Sequence, residues 1–584
     1  MKELKHINKY FYKYRSRLLL GILITIGAKI FALFIPQLLG KAITIISKTS
    51  KGEISQEAFK AELTPIILYI IGAAVITGLF TFLMRQTIIN VSRYIEYDLK
   101  NEVYQQYQNL SLNFYKANRT GDLMNRISED VGKVRMYCGP AIMYTINTVT
   151  LFIVALIYML SVAPKLTLYT ILPLPILSFI IYKLSKVINK RSRIVQEYLS
   201  HLSTYTQESF SGISVIKSYG LEKSNYDEFN TLSEESKRKQ IDLTKVQSLF
   251  FPSMILLIGV SNILVAYVGG MQYINGEIKD IGTIAEFLIY VNMLTWPVAT
   301  VGWVTNLVQQ AEASQKRINE FLKQEPEIKN KNTMASHIKG DIVFNNVTYT
   351  FPDTNIRALD KVSFTIKKGE TLAILGKTGS GKSTILDLIG RLYDVQEGSI
   401  SIDGITIDQI HLNSLRDHIG YVPQDAFLFS DTIENNIKFG KENASKEEMI
   451  AAAKHADVHK NILNFTEGYQ TKLGERGITL SGGQKQRISI ARAIIKAPEI
   501  MLFDDCLSAV DTETEEKILN SLRKISEGKT TIIVSHRVSS AKDADKIIVL
   551  EDGKIIQNGT HESLVNTDGY YKELYLKQLS TKEL

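Results

Sequence analysis

Long apolar runs fill the first half of this 584-residue chain and are missing from the second. A bilayer's hydrocarbon core takes about 20 residues of helix to cross, and lipid leaves no backbone polar group unpaired. Six stretches meet that length, near residues 18–39, 64–84, 141–162, 167–188, 249–271 and 283–307. They predict an all-α, six-helix membrane domain over residues 1–325. The mean hydropathy of the whole chain is nevertheless close to zero, because the remainder reads as a water-exposed protein. The length also exceeds what one core of roughly 100–200 residues accommodates, so a second domain is expected.

The connections are unequal. Those around Ala163-Pro164-Lys165 and from Tyr273 to Gly282 are short and read as tight outer loops. Those from Arg85 to Arg135 and from Lys183 to Lys245 are long, charged and helix-compatible, so the membrane helices are expected to continue far past the bilayer. The N-terminal stretch MKELKHINKYFYKYRSR is basic and aromatic. It suits an amphipathic segment on the cytoplasmic face, and no small-residue cleavage site follows its first apolar run. Six crossings then return the chain to the cytoplasm. A multi-pass protein of the plasma (inner) membrane is expected if the source is bacterial.

The net charge of +8 reads as membrane-surface charge, since Lys and Arg crowd the flanks of the apolar runs. No nucleic-acid recognition module accompanies it, so no nucleic-acid partner is expected. Lys29 interrupts the first run, either as a substrate-pathway residue or as a lysine snorkelling or paired within the bundle. Pro297 is expected to kink the sixth. Cys138 and Cys506 fall in different halves and read as unpaired thiols.

A polar linker, placed at 326–340, leads into alternating strand and helix patterns over 341–584. The pattern predicts an α/β domain around a largely parallel sheet. Within it, Gly376-Lys377-Thr378-Gly379-Ser380-Gly381-Lys382-Ser383 follows the apolar strand Thr371–Leu375 and opens an apolar helix that continues with Thr384. This is a phosphate loop in its required context. Glycines let the backbone curl so that N–H groups meet phosphate oxygens, and the helix N-terminus adds positive potential. Lys382 is placed to reach the β- and γ-phosphates, and Ser383 to ligate Mg²⁺. A second apolar strand, Ile500–Phe503, ends at Asp504, an acid positioned to organise the metal. Loop and acid together predict a Mg²⁺-dependent nucleoside triphosphatase, but not yet which kind.

The sequence Leu480-Ser481-Gly482-Gly483-Gln484, followed by KQRISIARAI, resembles the LSGGQ signature of the ATP-binding cassette family. The resemblance extends along the domain. Gln424 lies where that family has its Q-loop glutamine, and His536 matches the switch histidine. Gly474-Glu475-Arg476-Gly477 resembles the exporter loop preceding the signature, and Ser508-Ala509-Val510-Asp511 resembles the D-loop. Phe351 occupies the position of the aromatic that stacks on adenine. The family usually has Tyr there, and Phe keeps the stacking face; Tyr349 is the other candidate. In the first half, Phe114–Arg126 and Glu208–Tyr219 resemble the segments of the two intracellular coupling helices.

Membrane runs followed by one cassette are similar to an exporter half-transporter. The resemblance implies a dimer in which each ATP lies between one chain's phosphate loop and the other's Ser481–Gln484. It further implies that Gln424 joins Ser383 and Asp504 at the metal, and that His536 senses the γ-phosphate. The expected activity is ATP-driven export of a hydrophobic or amphipathic drug, lipid or peptide by alternating access, in contact with membrane lipid. A membrane sensor or ATP-gated channel on the same scaffold is the alternative.

One position departs from the pattern. The general base after the strand-end acid is usually Glu; here it is Asp505. A carboxylate one methylene shorter falls short by about an ångström, a misplacement that can cost roughly 10²-fold in rate. Two readings stand: drift compensated by His536 and a water, or a heterodimer in which this chain supplies the impaired site. In the second, its intact signature completes the competent site of a partner bearing Glu. The combination favours the heterodimer over a homodimer.

Overall fold

The structure, a computed structural model, describes residues 2–330, 337–474, 477, 480–507 and 512–582. Two compact units divide the chain. One comprises Met1–Gln108 and Gly121–Gln324; the other comprises Asn109–Thr120 and Glu325–Leu584.

The first unit is helical. Five helical stretches among the described residues are long and apolar enough to cross a membrane: Arg15–Ser50, Gln56–Asn109, Thr120–Val162, Glu222–Ile274 and Gly282–Leu322. At about 1.5 Å per residue, the 54-residue helix Gln56–Asn109 is far longer than the roughly 30 Å hydrocarbon core. Its apolar N-terminal half gives way to charged turns, so one helix serves both environments. The run predicted at 167–188 is divided. A short helix, Pro164–Ile171, is followed by Pro173–Ser211. Pro173 offers no N–H and its ring crowds the carbonyl of Tyr169, which parts the two at Leu172. Proline in the sixth run acts differently: the helix Gly282–Leu322 runs on through Pro297. The stretch Lys183–Lys245 is helical, as its composition suggests, and turns at Gly220, whose φ of 63° suits a left-handed cap.

Buried apolar side chains of several helices form one cluster that includes Met159, Leu166, Val265, Phe287, Tyr290 and Leu294. Helices Arg15–Ser50 and Gly282–Leu322 come close at two glycines. A methyl group on Gly282 would lie 1.9 Å from the Gly40 carbonyl oxygen, and one on Gly40 would lie 2.8 Å from that of Gly282. Small residues at such crossings let backbones meet.

The second unit holds two sheets. Strands β1 (Ile342–Thr350), β2 (Arg357–Ile366), β4 (Glu397–Ile402) and β5 (Ile405–Thr406) form an antiparallel sheet in the order β2-β1-β4-β5. The main sheet takes β3 (Thr371–Gly376), β6 (Ile419–Val422), β7 (Ile500–Asp504), β8 (Thr530–Val534), β9 (Lys546–Glu551) and β10 (Lys554–Gly559). Its order is β10-β9-β3-β8-β7-β6, parallel except at the β10 edge. β7 and β3 are buried along nearly their whole length, as continuous apolar strands of a covered parallel sheet are. The helix Lys382–Ile389 packs into the core with the sheets, whereas the helix Gly482–Ile494 joins a second core with Met449, Ile433 and Val422.

Gly282→Ala is expected to destabilise the membrane unit by about 1–3 kcal/mol, the usual cost of overpacking. Gly259→Ala, where a methyl group meets nothing within 4 Å, should leave the melting temperature in detergent unchanged. Equal melting temperatures for the two variants would contradict the crossing.

Candidate nucleotide site

The site assembles at the C-terminal ends of β3 and β7. β3 lies between β8 and β9, in parallel register with both. Beyond it the chain curls through left-handed conformations at Gly376 (φ 149°) and Gly381 (φ 97°). Neither position has room for a side chain. A methyl group on Gly376 would lie 2.2 Å from the Leu550 carbonyl oxygen, and one on Gly381 would lie 2.1 Å from that of Ala358. Lys377, Thr378 and Gly379 are exposed at the rim, where Lys377 Nζ reaches Glu551 Oε1 at 2.7 Å. Ser380, Lys382 and Thr384 are buried beneath it.

Lys382 turns its ammonium inward. Nζ donates to the carbonyl oxygens of Gly376, at 2.9 Å, and Lys377, at 2.8 Å. Burial lowers its pKa, an effect opposed by Asp505 and Asp504. The Ser383 hydroxyl donates to Asp504 Oδ1 at 2.9 Å, so β7 and the helix that follows the loop meet at the two residues expected to hold the metal. Burial raises the pKa of Asp504, against the Ser383 hydrogen bond.

Asp505 follows at φ 42°, its N–H donating to the Val534 carbonyl at 2.9 Å. Asp tolerates this left-handed conformation better than most residues. Its side chain is buried, which raises its pKa; the His536 imidazole and backbone and the Lys382 ammonium pull the other way. Burial and Lys382 lower the pKa of His536. The structure therefore brings together Gly376–Thr384, Asp504, Asp505 and His536. Gln424 lies exposed just past β6, its carbonyl accepting from Gln486 Nε2 at 3.4 Å. Phe351 is half-buried and edge-on to Tyr349 and Tyr393.

Ser481, Gly482, Gly483 and Gln484 form the N-terminus of the helix Gly482–Ile494, in a capping box. The Gln484 N–H donates to Ser481 Oγ, and the Ser481 N–H to Gln484 Oε1. Ser481 and Gly482 are exposed. Glu475, Arg476 and Ser508–Asp511, read from sequence as parts of the exporter loop and D-loop, lie outside the described residues.

Three participants were not apparent in the sequence. Glu515 is buried and accepts from Arg537 and from the hydroxyls of Ser539, at 2.8 Å, and Ser540, at 3.1 Å, fixing the loop that carries His536. Gln486 tethers the Gln424 backbone. Asp387, in the helix behind the phosphate loop, is a half-buried carboxyl that accepts from the Tyr421 hydroxyl at 3.3 Å. Burial pushes its pKa up to about 6, with the Tyr421 hydrogen bond opposing, Asp504 adding and Lys116 opposing. Glu515 and Asp387 fall in no recognisable motif, Gln486 lies in the run that follows the signature without its role being marked there, and the partners of all three are remote in sequence.

The loop fits a bound triphosphate. Ser380 Oγ is buried with no hydrogen-bond partner, a donor an anion over the loop would satisfy, and the Lys382 ammonium sits where negative charge would stabilise it. The hard oxygen donors of Ser383 and Asp504 fit Mg²⁺. Such a loop and acid at the ends of parallel strands define a nucleotide-binding P-loop ATPase domain.

Comparison with known proteins identifies which kind. Residues 18–298 match the ABC transporter transmembrane region, and residues 359–508 match the ABC transporter family. The chain is 36% identical over 506 residues to the "Multidrug resistance-like ATP-binding protein MdlA" of Escherichia coli (strain K12), covering 86% of each chain. It is also 36% identical over 580 residues to the "Probable multidrug resistance ABC transporter ATP-binding/permease protein YheI" of Bacillus subtilis (strain 168), covering 98% of this chain and 97% of that one. A solved bacterial Atm1-family ABC exporter with ATP bound superposes with a TM-score of 0.79 at 28% identity, over 97% of this chain and 98% of the other. The chain belongs to the ATP-binding cassette exporters as a half-transporter: an integral membrane protein that binds ATP and is an ATPase coupled to transport.

Asp387 yields a pH prediction. Its pKa is higher folded than the ordinary 3.8, so the native state binds the extra proton between the two values and stability falls as pH rises through that window. Above about pH 6 the charged form weakens the fold by roughly 3 kcal/mol at most. Asp387→Asn should therefore raise the melting temperature of the nucleotide-free protein at pH 8 and give little gain near pH 4. A gain independent of pH would contradict this.

Proposed function

We propose that this chain is one half of a dimeric exporter that moves a hydrophobic or amphipathic drug, lipid or peptide out of the cell by alternating access. Its cassette faces the cytoplasm and its helices sit in the inner membrane of a bacterium. The observation that carries the reading is the division of labour inside one cassette. The phosphate-loop helix belongs to one core, and the Ser481 helix N-terminus, exposed and capped only by itself, belongs to another. A helix N-terminus of that kind is suited to close over the γ-phosphate of a second chain. Hydrolysis of ATP supplies the free energy that resets the transporter.

In this reading Gly376–Thr384 hold the phosphates and Lys382 neutralises them. Ser383, Asp504 and Gln424 hold Mg²⁺, and Phe351 receives the base. Asp505 and His536 position the attacking water; Glu515 keeps His536 in place as a positioning residue. The short side chain of Asp505 leaves its own site slow, and a partner half-transporter bearing Glu at that position completes a fast one with Ser481–Gln484 of this chain.

Two outcomes test this. ATP-dependent accumulation of a fluorescent amphiphile in inverted vesicles should be abolished by Lys382→Ala; accumulation that survives, or never occurs with active wild type, would remove the export reading. The chain purified alone should hydrolyse ATP slowly, and Asp505→Glu should raise its rate by up to about 10²-fold. Fast turnover by the unpaired wild-type chain would contradict the slow-site assignment.

A further inference from the structure

The helix Leu112–Ala117 belongs to the same compact unit as the cassette, although in sequence it lies between the second and third membrane runs. Polar contacts anchor it there. The Ser111 hydroxyl, at 3.0 Å, and Asn113 Nδ2, at 2.8 Å, both donate to Glu327 Oε2. From this helix Lys116 reaches a group of three aromatic rings. Its Nζ lies 4.8 Å from the centroid of Phe351 and 4.9 Å from that of Tyr393. Phe351 stands perpendicular to both tyrosines: 89° to Tyr349 at 5.2 Å, and 90° to Tyr393 at 5.8 Å.

The rings differ in access. Tyr349 and Tyr393 are each 2% exposed, whereas Phe351 is half-buried. Phe351 is thus the ring of the three that a ligand can reach. A phenyl group just past the end of β1 swings about two torsions unless something holds it. Here two buried tyrosines, each near a right angle to it, hold it. An ammonium is attracted to the face of a ring within about 6 Å of its centroid. One ammonium satisfies Phe351 and Tyr393 together only while the two rings keep their right angle, so Lys116 selects one orientation of Phe351.

We propose that Lys116 is a positioning residue for the adenine of ATP: it holds the Phe351 ring in the orientation on which the base stacks. The inference rests on the assignment of Phe351 as the base platform.

The test uses the full-length chain purified without a partner half-transporter, in lipid nanodiscs, so that the turnover read is that of its own phosphate loop and Phe351. Two quantities are read: KM for ATP, and the competitive inhibition constant of inorganic tripolyphosphate, which carries phosphates and no base. Lys116→Met keeps the length of the side chain and removes the charge. It should raise KM about three- to tenfold, with kcat and tripolyphosphate inhibition unchanged. Lys116→Arg, which retains a cation for the rings, should stay within about twofold of wild type. An unchanged KM in Lys116→Met overturns the proposal, as does a parallel shift of KM and the tripolyphosphate constant, which would mean a general structural role. Phe351→Ala separates the two layers. If it leaves KM unchanged, the base-platform reading fails; if it raises KM while Lys116→Met does not, the Lys116 inference fails alone.

Discussion

A single ammonium, that of Lys382, is folded into a pocket built from backbone. Burying a cation is costly unless it is paired and hydrogen-bonded, and here its direct partners are two loop carbonyls, with Asp504 and Asp505 contributing at longer range. The arrangement is an electrostatic demand for an anion. It exists only because the loop passes so close to β9 and β2 that no side chain fits at Gly376 or Gly381. The parallel pairing of β3 with β8 and β9 holds that passage in place, and the pairing of β7 with β8 brings Val534 to the Asp505 backbone and sets Asp504 beside Ser383. Phosphate binding, metal organisation and the water-positioning residues therefore share one structural origin.

Around this centre lie groups that hold loops rather than touch ligand. Glu515 gathers Arg537, Ser539 and Ser540, and Gln486 secures the Gln424 backbone. Such residues matter because a catalytic group displaced by an ångström loses most of its effect. Asp505 carries the same logic in the opposite direction: its backbone is fixed by Val534, so the missing methylene of the usual Glu cannot be recovered by a shift of the main chain without breaking that hydrogen bond. Both cysteines are free and buried, in keeping with their reading as unpaired thiols.

The phosphate loop and the acid at the end of β7 were legible because their chemistry dictates both residue type and spacing, and the flanking strand and helix patterns are local. The membrane helices were legible for a similar reason: lipid imposes a length and a composition. The break at Leu172 was missed because apolar composition alone concealed two prolines. The antiparallel sheet β2-β1-β4-β5 was hidden because apolar strands reveal neither their partners nor their direction. Lys116, Asp387 and Glu515 were invisible for a deeper reason. Each acts through residues tens or hundreds of positions away; Lys116 lies in the stretch Phe114–Arg126 that resembles a coupling-helix segment, but nothing there points to Phe351.

The central claim is that the nucleotide site is completed by a second chain's Ser481. The direct measurement is inter-chain cross-linking between Ser481→Cys on one chain and Thr378→Cys on its partner, with and without trapped ATP. The account predicts a cross-linked dimer whose yield rises sharply when nucleotide is bound. A nucleotide-loaded transporter that stays un-cross-linked, while each cysteine reacts freely with a monofunctional reagent, would contradict it.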